Sequence, residues 1–517
     1  MAWDNSVRIR LRCAAGMGLI KRTGVALLAT AALAGTGLPA KAGNGVGLWS
    51  STTATTWPLI PLHAILMPDG RVLSYGTNPD GRQTGRFYYD VWDPRGGLAA
   101  GHSTLPNTTA TDLFCSAQTL LPATGDVLLL GGDNWIQSTN STNNRGNNDS
   151  VIFSSRGGDH LTPGAEMSRP RWYATATTMP NGETYIQGGR DGVDRADVRS
   201  TAGVFRQLTG FNTSSLFWYY PRNWVAPDGK VFGVVGRDMY RVDPSGAGIL
   251  TRLGTTPFEG PSGITSSEVM YAPGKILRTG GGAFDAVQQV DGRSATVLID
   301  INGATPQVTL GRPMPFGLHW HNATVTADGS VVVTGGGPKN NLVAGANNRA
   351  LIWQPATGAW TVGATTGSGK ARLYHSTALL LPDASILVGG GGAPGPQTNT
   401  NAEIYYPPYL FTPAGGFATR PILLRVPTRI AVGSRFAVRV NRPTSIKRLT
   451  LLRTGSVTHS FNMDQRFMEL SFRRDGSGNL DVRAPANLNR APPGYYLLFA
   501  IDAAGVPSIA KVVAVGS

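Results

Sequence analysis

Short apolar runs rich in valine, isoleucine and leucine recur along most of the chain, each bounded by glycine, proline or aspartate. Such runs predict β-strands joined by tight turns, and no long stretch carries the periodicity of an amphipathic helix. Seven copies of one pattern stand out: a turn with Asp-Gly or a substitute, an apolar β-run, then glycine. They read "MPDGRVLSYG", "PATGDVLLLGG", "MPNGETYIQGG", "APDGKVFGVVG", "APGKILRTGGG", "TADGSVVVTGGG" and "LPDASILVGGGG". The closing glycines, Gly76, Gly131, Gly188, Gly236, Gly280, Gly335 and Gly390, lie 44 to 57 residues apart. Each copy predicts a hairpin feeding an inner strand, with the glycine allowing a tight turn near a common axis.

A period of about 50 residues is that of kelch repeats. One four-stranded sheet cannot bury both faces, whereas seven arranged radially can. The fold expected is therefore all-β: a seven-bladed kelch-type β-propeller over residues 43–413, then an immunoglobulin-like β-sandwich over residues 414–517. The join is marked by the Pro- and Gly-rich "PPYLFTPAGGFATRP", and the second part by alternating segments such as "RFAVRVN", "IKRLTLLRT" and "YYLLFAID".

The first 42 residues differ from the rest. Lys21 and Arg22, the apolar "GVALLATAALAG" and the small residues before Ala42 have the layout of a secretory signal, too short for a stable bilayer span. The expectation is an exported, secreted or periplasmic chain with no membrane span, and a monomer. The signal runs almost directly into the first blade, so no N-terminal carbohydrate-binding sandwich is expected.

Glycine contributes 67 of 517 residues and charged residues only 15%, a balance suited to a turn-rich β-protein. The formal charge is +15, and about +10 without residues 1–42. That excess favours anionic envelope polysaccharides. Dispersed rather than clustered, it argues against nucleic acid. Cys13 and Cys115 are the two cysteines. Loss of Cys13 with the signal leaves Cys115 without an intramolecular partner, either an inert buried thiol or one with particular chemistry.

Candidate chemistry falls just ahead of the repeat strands, where propeller loops gather over the channel. "DLFCSAQTLL" places Cys115 there, "RWYATATTMPNG" Tyr173, "GLHWHNATVTADG" His319, Trp320 and His321, and "RLYHSTALLLPDA" the adjacent Tyr374 and His375. Repeat symmetry brings Cys115, Tyr173, Tyr374 and His375 toward one end of the channel. Trp172 and Tyr173 are expected on opposite faces of a strand, so that only one enters the channel. His321 has the position of a turn-bonding structural histidine.

With Phe114-Cys115, Arg171-x-Tyr173, "YHS" followed by "LLLPD", "THSFNMDQR" around His459 and the terminal "PPGYYLLFAIDAAGVPSIAKVV", the chain resembles the copper radical oxidases, the galactose oxidase and glyoxal oxidase family. The resemblance runs from about residue 45 to the end. It implies one copper per chain, with Tyr173, Tyr374, His375 and His459 as ligands, and a thioether crosslink between Cys115 and Tyr173 as a protein-derived cofactor. It also implies a Tyr173 radical, proton acceptance by Tyr374, and oxidation of an alcohol or aldehyde with reduction of O2 to hydrogen peroxide. Imidazole and phenolate suit Cu(II), and a ring-linked sulfur makes a phenol easier to oxidise. His459 must come from the sandwich, on a loop reaching up the channel.

The resemblance breaks in places. Asp191 stands where galactose oxidases have the tryptophan that covers the thioether, so a replacement is expected from Trp218, Trp224 or Trp320. Trp320 and His319 are further candidates to line the substrate entrance. "PFEGPSGITSSEVMY" and "GGGAFDA" lack the family's sugar-binding residues, and "RWY" favours the glyoxal oxidase branch. The function expected is an exported oxidase of aldehydes or primary alcohols. The alternative is a non-catalytic kelch propeller that binds an envelope glycan or protein. No Ser-His-Asp order or carboxylate pair singles out a hydrolase or lyase.

Overall fold

The computed structural model describes residues 45–516, except 51–52, 86, 137–138, 140, 258–262, 284–289 and 477; the expected signal segment lies outside the described residues. The first four-stranded antiparallel meander comprises His63–Leu66, Val72–Tyr75, Tyr88–Trp92 and His102–Pro106. Five similar sheets follow, with inner strands Ala117–Leu120, Trp172–Thr178, Arg222–Val225, Ser267–Ala272 and His319–Val325. The seventh consists of Ser376–Leu380, Ile386–Gly390 and Asn401–Tyr406, and its outer edge is Leu48–Trp49, the first described strand, with Leu48 opposite Tyr406. The inner strands are buried along their whole length, save the last two residues of Ser267–Ala272, as blades packed on both faces require, whereas the fourth blade's outer strand Ile249–Thr255 is largely exposed.

The repeat pattern has a direct conformational basis. Gly70, Gly182, Gly229 and Gly329 adopt φ of 84 to 87°, and Ala384 of "LPDAS" holds the same turn at 66°. The closing glycines serve another purpose. A Cβ on Gly131 would lie 2.2 Å from the Arg171 carbonyl oxygen, and one on Gly335 would lie 2.4 Å from that of Arg372. The next residues, Gly132 and Gly336, donate N–H to those same carbonyls at 2.9 and 2.7 Å. Each glycine turn thus grips the loop of the following blade, two residues before a tyrosine.

The remaining chain packs two sheets around Val438, Leu449, Leu480, Val482 and Leu498, all fully buried. One sheet pairs Leu423–Arg425, Arg435–Val440, Asn479–Arg483 and Phe472–Arg474; the other includes Ile446–Arg453, Gly494–Asp502 and Lys511–Gly516. The ten-residue strand Phe461–Leu470 belongs partly to each half of the fold. Leu470 and Phe467 pair with Leu449 and Leu452 of the sandwich, while Phe461 pairs with Glu268 of the fifth blade. Its hairpin partner Ser456–Thr458 pairs with the first blade, Thr458 opposite His63. The hairpin is thereby inserted among the inner strands of the propeller. No described helix is long and apolar enough to cross a membrane.

Candidate metal centre

A common backbone device builds the centre. At the start of five inner strands a non-glycine residue adopts positive φ: Cys115 at 58°, Tyr173 at 72°, Tyr220 at 35°, Trp320 at 55° and His375 at 67°. Such conformations are costly for L-residues and persist where surrounding structure imposes them. They also break the alternation of a flat strand. Trp172 and Tyr173, expected on opposite faces, therefore line one cavity together, with ring centroids 4.5 Å apart. The same break lets Tyr374 and His375 stack at 3.7 Å and turn toward one point.

Buried arginines fix the loops. Arg171 pairs with Asp197 at 2.8 Å and donates to the carbonyls of Gly188, Gly192 and Arg195 at 2.6 to 2.8 Å. Arg372 occupies the matching place before Tyr374 and pairs with Glu403 at 3.0 Å. Each arginine thus anchors a tyrosine-bearing loop to its own blade.

His459 arrives from the sandwich at the tip of the inserted hairpin. Thr458 and Phe461 are paired, so His459 and Ser460 alone form the turn, with φ of 48° and 63°. Two positive values match a type I′ turn, for which Asn-Gly is the usual sequence. The tip is held by its surroundings: Ser267 Oγ donates to the Ser460 carbonyl at 2.6 Å, and Arg222 Nη2 to that of His459 at 3.5 Å. Lower in the hairpin, Gln465 exchanges two hydrogen bonds with the Val325 backbone. His459 is 1% exposed, which excludes an ordinary solvent-facing hairpin histidine.

Both histidines present the same nitrogen inward. His375 Nδ1 lies 2.6 Å from the Gly392 carbonyl, which can only accept, so Nδ1 carries the proton and Nε2 a lone pair. Thr458 Oγ1 gives its proton to the Leu62 carbonyl and therefore accepts from His459 Nδ1 at 2.5 Å, freeing that Nε2 as well. Burial pushes His375 down to about 3 and His459 well below its ordinary value, so both rings are neutral. The Cys115 sulfur is 3.7 Å from His375 Nε2 and 3.4 Å from His459 Nε2, all three residues being buried. Desolvation raises the Cys115 thiol, and contact with Tyr173 opposes that rise.

Two phenols complete the arrangement. The Tyr173 and Tyr374 hydroxyls are 2.7 Å apart, and the Tyr173 ring lies edge-on to His459 at 5.1 Å. Burial raises both phenols, keeping them protonated unless a cation lies beside them. Paired imidazole lone pairs, phenol oxygens and a nearby thiol form a donor set that fits copper. The centre opens into a cavity of about 680 Å³ with predominantly aromatic walls and Arg82, Gln83, Asn144 and Arg190 among its polar lining.

Of the expected surrounding residues, Trp320 lines the cavity and meets Tyr374 at 4.7 Å, and Trp218 lines it 5.5 Å from Tyr173. Neither stacks on Tyr173, and Trp224 packs on Phe461 outside the cavity lining. The ring that stacks on Tyr173 is Tyr219, at 4.8 Å and 24°, so a tyrosine stands where a tryptophan was expected. Asp191 turns away, pairing with Arg145 at 2.9 Å and accepting from Gly146 N at 2.8 Å. His319 is engaged at both nitrogens, by Thr265 Oγ1 and the Val290 carbonyl. His321 has the structural place expected, with Nε2 2.9 Å from Thr279 Oγ1. Tyr219 and Tyr220 were not singled out from the sequence, although the aromatic run "FWYY" was the available signal for both.

Residues 420–515 match the family model described as galactose oxidase-like, Early set domain. A galactose oxidase from Gibberella zeae is 26% identical over 525 residues, covering 91% of this chain and 71% of that protein. Aldehyde oxidase GLOX1 from Arabidopsis thaliana is 25% identical over 391 residues, covering 66% of this chain and 63% of that protein. A solved structure of a fungal alcohol oxidase of the AA5 family, in complex with copper, superposes with a TM-score of 0.81 at 26% identity, covering 91% of this chain and all of that one. Residues 420–515 thus carry the galactose oxidase-like Early set domain, and over 91% of its length the chain is similar to galactose oxidase and to a copper-bound alcohol oxidase of the AA5 family.

Proposed function

We propose that this protein oxidises an aldehyde or a primary alcohol with O2, releasing hydrogen peroxide, and that it acts as an exported enzyme. The observation that carries this reading is that the Tyr173 and Tyr374 hydroxyls meet at the wall of one aromatic cavity while the Nε2 atoms of His375 and His459 converge on Cys115 beside them. Tyr173, Tyr374, His375 and His459 would hold one copper. Bound there, copper supplies a one-electron acceptor and a positive charge that favours phenolate.

The chain's own groups divide the remaining work. The Tyr374 oxygen takes the proton of the substrate hydroxyl, for which its place beside the cavity suits it. The Tyr173 ring supplies the second one-electron site, joined through a ring carbon to Cys115 Sγ; that thioether accounts for the buried lone thiol. Thr458 and the Gly392 carbonyl keep the two imidazoles in one tautomer. Aromatic walls exclude water and favour a small, weakly polar substrate, and the absence of lining carboxylates among the described residues leaves anionic aldehydes admissible.

The test is peroxide production by the copper-loaded protein over a panel of aldehydes and primary alcohols. Oxygen consumed and peroxide formed in equal amounts, at one copper per chain, supports the reading. Full copper occupancy with no turnover of any panel member, together with glycan binding, favours the non-catalytic propeller.

A further inference from the structure

Seven arginines are buried among the described residues, and six are held by other groups of the chain. Arg171, Arg222, Arg278, Arg372 and Arg453 each pair with a buried carboxylate, and Arg466 donates to the carbonyls of Val225, Asn489 and Arg490. Arg199 differs. It is 9% exposed, has no carboxylate beside it, and donates only to the carbonyl of the adjacent Ser200, at 3.5 Å, the limit of a hydrogen bond. Burial lowers its guanidinium below the ordinary value, and no neighbouring charge opposes that. A desolvated cation without a partner is costly, and a native fold retains one where an anion arrives to meet it.

Arg199 lines a cavity of about 500 Å³ where turns of the second and third blades meet the sandwich. The second cation in that lining is Arg429, from the sandwich strand Arg429–Ala431, and it too has no ion pair among the described residues. The one lining carboxylate, Asp126, is taken by Arg156. Glycine makes room for both cations: a Cβ on Gly203 would lie 3.0 Å from Arg199 Nη2, and one on Gly516 would lie 3.3 Å from Arg429 Nη1. The remaining walls are largely aliphatic, with Pro122, Pro180, Leu488, Pro493 and Val515 among them. This cavity lies at the opposite end of the blades from the metal centre. Tyr173 stands at the start of the inner strand Trp172–Thr178 and Pro180 just beyond its end, about 20 Å along an extended chain.

We propose that this second cavity binds the carboxylate of a uronate sugar, free or carried by an acidic glycan, with Arg199 and Arg429 as the receiving groups. A guanidinium presents a planar fork of donors that matches a carboxylate. A pyranose ring carries C–H groups on its faces, which the proline and aliphatic walls cover, and the volume lies in the range of small-molecule sites. The excess positive charge of the chain favours approach of a polyanion. Binding at this end leaves the aromatic cavity over the metal centre open, so the site serves attachment rather than turnover.

The test is calorimetric titration of the copper-loaded protein with galacturonate, trigalacturonate and, as the neutral counterpart, maltotriose. One site for the uronates, weakened by added salt, and none for maltotriose is the expected result. A trimer bound about tenfold or more tighter than the monomer assigns the site to a glycan chain, and equal affinities assign it to a single uronate. Arg199→Met keeps the aliphatic stem and removes the charge, and should weaken uronate binding about tenfold or more, as should Arg429→Met. Without ligand, the urea midpoint of Arg199→Met should equal or exceed that of the parent, because the charge removed has no partner. Peroxide formation should be unchanged in both variants. Absence of uronate binding, equal binding of maltotriose, affinity unaltered by both substitutions, or a urea midpoint of Arg199→Met below the parent's each overturn the proposal.

Discussion

The hydroxyl oxygens of Tyr173 and Tyr374 meet at 2.7 Å although 201 positions separate the residues in the chain. Each tyrosine follows a buried arginine by two positions, and each arginine carbonyl is gripped by a glycine turn of the preceding blade. The meeting therefore reflects the repeat itself, applied in the third and seventh blades.

Tyr374→Phe removes the oxygen assigned to the substrate proton while leaving the ring stacked on His375. Steady-state kinetics should show kcat reduced by about 10²-fold or more, as for loss of a general base. Peptide mass analysis should still find Cys115 joined to Tyr173.

Arg171→Ala leaves the Asp197 carboxylate buried without its partner and frees three carbonyls. Urea unfolding should show a loss of about 3–5 kcal/mol. Arg171→Lys should recover little of it, because an ammonium cannot reproduce the planar set of donors that reaches four separate acceptors.

Thr458→Val removes the oxygen that receives the His459 Nδ1 proton and leaves the hairpin strands paired. Competition with a chelator should show copper affinity weakened by about 10- to 100-fold, the usual cost of losing such a partner. The urea midpoint should shift far less than in Arg171→Ala.

Asp112 gives stability a pH dependence. Burial pushes its carboxyl up to about 7 and that of nearby Asp133 up to about 6. At pH well below 4 the group is protonated in both folded and unfolded chains and costs nothing. As pH rises from about 4 to 7 the unfolded chain binds fewer protons than the folded one, and stability falls. Asp112→Asn should therefore gain on the parent progressively across that window in urea midpoints measured at each pH. A difference independent of pH would count against the buried, raised carboxyl.

Much of this was legible because the repeat is physical. Asp-Gly turns and closing glycines mark where positive φ is needed, so blade number and the offsets of Cys115, Tyr173 and His375 could be read directly. Cys115, Tyr173, Tyr374, His375 and His459 do converge in the structure. What could not be read is set by tertiary contacts. Nothing in "VTHSFN" announces a type I′ turn, because Ser267, Arg222 and the adjoining blades impose it on residues that do not favour it. The positive φ of Tyr173 is likewise invisible to strand alternation, which is why Trp172 was expected to face away. The stacking partner of Tyr173 was sought among tryptophans, and the blade geometry supplies Tyr219 instead.

The central claim is that Cys115 and Tyr173 form one redox unit beside His375 and His459. Its most direct test is peptide mass spectrometry after incubation with Cu(II) and O2. The expected product is a single species in which the Cys115 and Tyr173 peptides are joined with loss of two hydrogens, and no alkylatable thiol. A fully copper-loaded chain whose Cys115 still alkylates and whose Tyr173 peptide has its unmodified mass would contradict it, and would leave the thiol as a third ligand beside the two imidazoles.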